Sequence, residues 1–358
     1  MLATSVRVFR CLAAVGATVA LSRSPGAEAY AQMPPGAPPD TALASVAPPP
    51  PRGLDAFLRH RDTFSRKRFG LSAGIAAGLY AANSTWLYLA WYKDGATGGF
   101  RTIDDRREWE GMDKLGHVYS TYSYARVTDQ GLRWTGMPRG RRVVLSVLTG
   151  MVLQTTVEVM DGFSADWGFS WADMGANALG AGVYAGQALA FREQRAFLKF
   201  SASPQSYPTG PLPSPSDDAP ASSAQDHADR LFGTSPWTRL IKDYGGQTIW
   251  LSTNPTVLLG GGDRARLPWL MLSAGYSPNN VLGAYTNAWS VDGFRYDARA
   301  VAPRTRQYLL SLDVDFTRIP TRSRALKTVF FFANVLKVPA PAVLFDSEAG
   351  WDWRWVYY

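Results

Sequence analysis

Cysteine is almost missing from this chain: Cys11 is the sole thiol in 358 residues. With no second cysteine there is no intramolecular disulfide, and a chain cleaved after Cys11 has no thiolate nucleophile and no sulfur ligand for a metal. Histidine is nearly as scarce, with His60, His117 and His227 the full set, which argues against chemistry built on paired histidines. Charged residues make up 18%, below the roughly 25% of an average soluble domain. G-x-S-x-G, H-E-x-x-H and a phosphate-cradling glycine loop ahead of a helix are all absent. Gly260-Gly261-Gly262 lies between strand-like segments and reads as a turn. The net charge is +8, yet no nucleic-acid-binding module accompanies it, so the basic balance points to anionic lipid or polymer.

What is present begins with an export signal. Arg7 and Arg10 precede an apolar run from Cys11 to Leu21, and small residues at Ala27, Ala29 and Ala31 follow. That layout is a cleavable secretory leader over residues 1–31, its apolar run too short to span a bilayer. Cleavage would remove three arginines and Glu28, taking +8 to +6. Val8-Phe9-Arg10 before Cys11 is not the small-residue context of a lipid-modified cysteine. A Pro-rich tether over 32–52 comes next. A basic run, Arg59 to Arg68, then leads into twenty-four uncharged residues, Phe69 to Tyr92, ending in Trp86, Tyr88, Trp91 and Tyr92. That stretch suits a membrane-contacting helix with an aromatic end, or a buried core helix.

Spacing predicts three further helices, from about Asp113 to Thr128, Val143 to Met160 and Ser170 to Phe191. Ser170 with Asp173 fits a capping box, and Gly175, Gly180, Gly182 and Gly186 would let neighbouring helices approach closely. Short connections make residues 53–200 an up-and-down bundle of about four apolar, membrane-associated helices. A Pro- and Ser-rich linker is expected over 201–225. Residues 226–358 read as a small α+β domain of mainly antiparallel strands: Gln247–Ser252, Trp269–Tyr276, Tyr308–Phe316 and the Trp-alternating terminus are the clear strands, with a helix from Ser323 to Lys337. Four strands are too few for an outer-membrane barrel.

The unusual polar residues concentrate between Asp113 and Gly180. In an alternating bundle, the start of one helix (Asp113), the end of the next (Glu158, Asp161) and the start of the third (Asp173) lie on one side. His117, Gln154 and Asn177, each four residues inward, form a second layer. Asp113, Lys114, His117, Glu158, Asp161, Asp173 and Asn177 are therefore the expected binding residues, with Asp104, Asp105 and Trp109 as a cover. Asp113, His117 and Glu158 could hold a divalent metal, or His117 and Glu158 could act as acid and base. The pocket could instead bind a polar headgroup, or the charges could simply lock helix register.

Phe100, Asp104-Asp105, Glu108-Trp109, Met112-Asp113-Lys114, Gly116-His117, Glu158, Asp161-Gly162, Trp167 to Ser170, Asp173, Asn177 and Gly180 resemble the YfiM-like envelope proteins, a predicted lipoprotein family of undefined function. Asp-Lys-x-x-His, a later Glu and Asp-x-x-x-Asn are more distantly similar to the VanZ-like membrane family. The likeness covers about residues 86–190, and the segments at Tyr244 to Gln247, Leu312 to Asp315 and Lys337 to Pro341 resemble longer members. It implies an envelope location and a candidate pocket, without a reaction; lipid anchoring does not carry over without a lipobox. The expectation is an exported, membrane-associated envelope protein with periplasmic exposure, in the inner or outer membrane. It would bind a membrane lipid or cell-wall precursor headgroup and no nucleic acid. A metal-dependent hydrolase or transferase and a purely structural component are the alternatives.

Overall fold

The computed structural model describes residues 53–358, except 94–98, 214–215 and 262–264 and the side chains of residues 90 and 91. The expected leader and the whole Pro-rich tract lie outside the described residues, as does Gly262 of the glycine turn. Residues from Pro51 to Tyr358 form one compact unit.

A short helix α1 (Gly53–Phe57) precedes α2 (Arg66–Leu87), whose N-cap is Ser65 and which continues as a wider turn through Tyr92. Not one α2 residue is buried. Three helices then pack together: α3 (Met112–Trp134), α4 (Arg139–Gly162) and α5 (Trp171–Ala190). Among the described residues only α4 is long and apolar enough to cross a membrane. The expected set of about four apolar helices is thus reduced to one. Polar residues interrupt α3 from Asp113 to Arg133, and Gly, Ser and Asn dilute α2.

Close helix approach rests on fewer glycines than the spacing suggested. A Cβ on Gly180 would stand 2.2 Å from the Val118 carbonyl oxygen, and one on Gly150 would stand 2.9 Å from that of Thr121. Nothing lies within 4 Å of a Cβ at Gly175, Gly182 or Gly186.

The chain leaves α5 through a left-handed Arg192 (φ 63°). It then enters a six-stranded antiparallel sheet whose first strand, β3 (Ala196–Ala202), still belongs to the bundle side. Two-residue strands β1 (Thr102–Ile103) and β2 (Phe169–Ser170) pair in parallel beside the bundle. The large sheet continues with β4 (Gln247–Thr253) and β5 (Leu270–Asn279), and a separate hairpin, β6 (Ala288–Val291) and β7 (Phe294–Asp297), projects from the chain before β8 (Thr305–Val314). Strands β9 (Ala340–Asp346) and β10 (Gly350–Tyr357) complete the order β10-β9-β8-β5-β4-β3. Helices α6 (Ala224–Phe232), α7 (Pro236–Lys242), α8 (Pro255–Leu258) and α9 (Arg324–Ala333) fill the connections.

Two expectations change here. The sheet has six strands: β3 and β9 join the four that the sequence alternation marks. Residues 201–225 are not a free linker: Tyr207, Leu212 and Ser222 are buried, and α6 starts inside the span with a capping box on Ser223.

The sheet curls until its edges meet. Phe200 of β3 bridges Leu336 in parallel, Ser203 Oγ donates to the Tyr358 carbonyl, and Trp250 of β4 packs edge-on against Tyr357 of β10. One face is joined to the bundle. Trp109, Met112, Leu115 and Tyr119 share a core with Tyr207, Phe232, Ile249 and Phe200, and the Tyr122 hydroxyl donates to the Ala196 carbonyl at 3.2 Å. Bundle and sheet therefore stabilise each other.

Gly180→Ala should cost about 1–3 kcal/mol, the usual penalty of overpacking. Gly186→Ala should be neutral or stabilising by up to about 1 kcal/mol. Urea unfolding of the two variants checks the contrast.

Candidate functional site

The bundle ends converge as the alternating topology predicts, and a lysine lies at the middle. Lys114 Nζ stands 2.7 Å from Asp105 Oδ2, 2.9 Å from Asp113 Oδ2 and 2.8 Å from Asp173 Oδ1. One turn below, His117 Nε2 faces Glu158 Oε1 at 3.4 Å, Asp173 Oδ1 at 3.8 Å and Asp113 Oδ1 at 4.0 Å. Its other nitrogen, Nδ1, is 3.1 Å from Asn177 Oδ1, which also accepts the Thr121 hydroxyl at 3.0 Å. An amide oxygen can only accept, so it places the neutral ring's proton on Nδ1 and leaves the Nε2 lone pair facing the carboxylates. Gln154 Nε2 stands 3.4 Å from Nδ1.

Local structure explains each placement. Ser170 caps α5 by accepting from the Asp173 backbone N–H at 3.1 Å. The reciprocal half of the expected capping box is supplied by another helix: Ser170 N–H donates to Glu158 Oε2 at 3.1 Å. Asp173 is drawn away from that role by Lys114. Ser170 Oγ in turn donates to Asp105 Oδ1 at 2.5 Å, so β2 delivers a hydroxyl and β1 leads directly to the acid it meets. Arg101 fixes the adjoining loop by donating to the carbonyls of Trp167 and Ala165. Asp161, at the end of α4, accepts the Tyr92 hydroxyl at 2.5 Å.

The approach to α3 is strained. Trp109 (φ 50°), Glu110 (φ 56°) and Gly111 (φ 80°) are all left-handed, which costs non-glycine residues about 1–2 kcal/mol each. Burial of Trp109 offsets this, as do ion pairs from Glu110 to Arg304 at 2.8 Å and Arg306 at 2.9 Å. The turn covers the site with Asp105, as expected, whereas Asp104 is exposed and paired with Arg106. Trp109 packs into the core shared with the sheet.

Tyr244, whose hydroxyl donates to Asp113 Oδ1 at 3.2 Å, was not foreseen; it is 131 positions away in sequence. Thr121, Arg304 and Arg306 were not foreseen either, and none carries a local signal that would reveal it; Tyr92, expected as part of an aromatic helix end, turns out to bond Asp161. The other two histidines are elsewhere. His227 stacks on Trp289 with centroids 3.9 Å apart, and His60 lies by Gln130.

Acids outnumber cations here. Burial raises Glu158 to about 8, with the Asp173 charge adding and His117 opposing. Burial likewise lifts Asp173 to about 7 and Asp161 to about 6. Burial opposes charging of His117, but Asp113, Asp173 and Glu158 outweigh it and its pKa is raised. Lys114 is partly buried, which opposes its charge, yet its carboxylate partners push its pKa up. The Glu158 Oε1 atom is buried and accepts no hydrogen bond. Ligand atoms of Asp113, His117 and Asp173 lie within 4.8 Å of one another, as do those of Asp105, Glu108 and Asp113. Chemically the centre can store protons or take up a small cation.

A family model described as a predicted periplasmic lipoprotein (DUF2279) matches residues 103–187. That is about a quarter of the chain, and it is the segment that supplies most of the charged centre. The match fits an exported, envelope-associated protein of undefined role. No curated protein and no solved structure matches the chain.

Lys114→Met would leave three carboxylates without their shared cation and should destabilise by about 3–5 kcal/mol near neutral pH, the range for breaking a buried ion pair. Substituting Arg106, whose pair with Asp104 is solvent-exposed, should leave the unfolding midpoint unchanged. The pH dependence has a definite sign. Glu158, Asp173, Asp161 and His117 all have raised folded pKa values, so the folded state holds extra protons. Their contribution is present in full below the unfolded values and is lost as pH rises through the folded ones. The melting temperature should therefore fall from about pH 5 to about pH 8, and Glu158→Gln should flatten that slope.

Proposed function

We propose that this is an exported, membrane-associated cell-envelope protein whose buried acidic centre binds a divalent cation. The supporting observation is the orientation of His117. With Nδ1 committed to Asn177, Nε2 faces carboxylate oxygens of Glu158, Asp173 and Asp113, all within 4.0 Å. One neutral imidazole and several carboxylates suit zinc, manganese or magnesium. Two states balance the same charge: a proton on Nε2 and on Glu158, or a cation in their place, so uptake releases protons. The metal ligands are His117, Asp113 and Asp173, whose donor atoms lie within 4.8 Å of one another; Glu158 stands beside His117, Lys114 holds the acids in position and Asn177 orients the ring.

The cation would give the protein a contact for the phosphate of a polar lipid or cell-wall precursor headgroup. Two apolar grooves favour a lipid. One, of about 150 Å³, is lined by Tyr88, Tyr92, Val159, Met160, Phe163 and Ser164. The other, of about 360 Å³, shares Val159 and Met160 and follows α4 back to Leu148. Tyr92 belongs to the first groove and also bonds Asp161, so an acyl chain in that groove would lie next to the charged centre. A metal-dependent hydrolase or transferase on an envelope lipid or glycan would use the same ligands, with Glu158 as base.

Manganese or zinc added to metal-stripped protein should raise the melting temperature at pH 8 more than at pH 5, with one ion bound per chain by elemental analysis. His117→Ala should abolish that binding while the circular dichroism spectrum is kept. Absence of both the thermal shift and the bound ion would leave a proton-balanced charge lock in place of a cation site.

A further inference from the structure

The six-stranded sheet encloses charge beside an apolar cluster of Trp250, Leu309, Ala342 and Leu344, and leaves leucines open on its other face. Its enclosed face carries Lys199 and Asp313, both fully buried and 3.1 Å apart. Ser252 donates to Asp313 at 2.8 Å and lies 2.6 Å from Ser273. The opposite face is apolar. Pairing aligns Leu251 with Ala274 and Leu310, and Leu272 with Leu312. These leucines are 45–62% exposed. In a water-soluble sheet the burial would be the other way round.

The outward face is also graded along β8, where Leu312, Leu310, Tyr308 and Arg306 follow one another at alternate positions. Apolar and then aromatic residues in that order match the passage from acyl chains towards headgroups, and Arg306 at the end of the row is paired with Glu110. From Leu312 to Tyr308 is four residues, about 14 Å at strand rise, close to half of a hydrocarbon core of about 30 Å.

We propose that the part of the outward face that the bundle leaves open, around Leu251, Leu272, Leu310 and Leu312, seats in one leaflet of an anionic phospholipid membrane, while Ile249 and Phe200 of the same face stay under the bundle. This deepens the membrane contact of the preceding reading and is independent of the cation, so either can fail alone.

Because Cys11 is the only cysteine, Cys11→Ser allows single spin labels. Full-length protein carrying Leu310→Cys, Leu272→Cys or, as an aqueous reference, Arg299→Cys is reconstituted with phosphatidylethanolamine and phosphatidylglycerol vesicles. Labels at 310 and 272 should favour collision with oxygen over a water-soluble nickel chelate several-fold more than the label at 299. Two labelled positions guard against one variant failing to fold. Equal nickel access at all three positions would overturn the proposal. So would labels at 310 and 272 shielded from both reagents, since a protein surface would then cover the face.

Discussion

The ammonium group of Lys114 ties together three carboxylates drawn from three segments: Asp105 from the turn after β1, Asp113 from the start of α3 and Asp173 from the start of α5. Remove that cation and the three acids would repel one another in a place where water cannot screen them. The rest of the centre follows from it. Asp173, held by the lysine, leaves the Ser170 N–H to Glu158, which brings the end of α4 into register with α5. Asp105, held likewise, fixes Ser170 Oγ and so the β1–β2 pairing. His117 then meets its ring of acids because all three helix ends are already in place.

That arrangement carries more negative charge than its cations neutralise. Isolated acids in such surroundings would simply be protonated, and the raised pKa values of Glu158, Asp173 and Asp161 show that tendency. A register lock alone would be served by one acid per cation. Surplus acids around a histidine whose Nε2 is unbonded to any amide or hydroxyl support the proposed cation site. The strained turn at Trp109 and Glu110 points the same way, since strain of that kind persists where surrounding contacts over-determine it. Here the contacts come from Arg304 and Arg306, which connect the sheet to the centre's cover.

The polarity of the whole molecule has a second theme. Helix α2 has no buried residue, α4 exposes Val144, Leu148, Val152 and Val159, and the sheet presents leucines outward while enclosing a lysine and an aspartate. Buried charge and exposed apolar surface thus occur together in several parts of the molecule, beside the apolar cores of bundle and sheet. The family match over 103–187 fits an exported, envelope-associated protein.

Sequence alone determined the bundle's alternation and, through i to i+4 spacing, that Asp113 with His117, Glu158 with Gln154 and Asp173 with Asn177 would share faces, because helical periodicity is a local property. It also determined that the last strands alternate. Tertiary structure decided what periodicity does not encode. Lys114 became the hub although it reads as one more polar residue in a motif. Gly180 proved to be a contact and Gly186 did not, because only one of them lies opposite a neighbouring backbone. Tyr244 reached Asp113 across the fold. The direction in which the sheet curls was equally hidden: alternation assigns residues to two faces, but only closure of the strands decides which face is enclosed. That decision put Lys199 and Asp313 inside and the leucines outside.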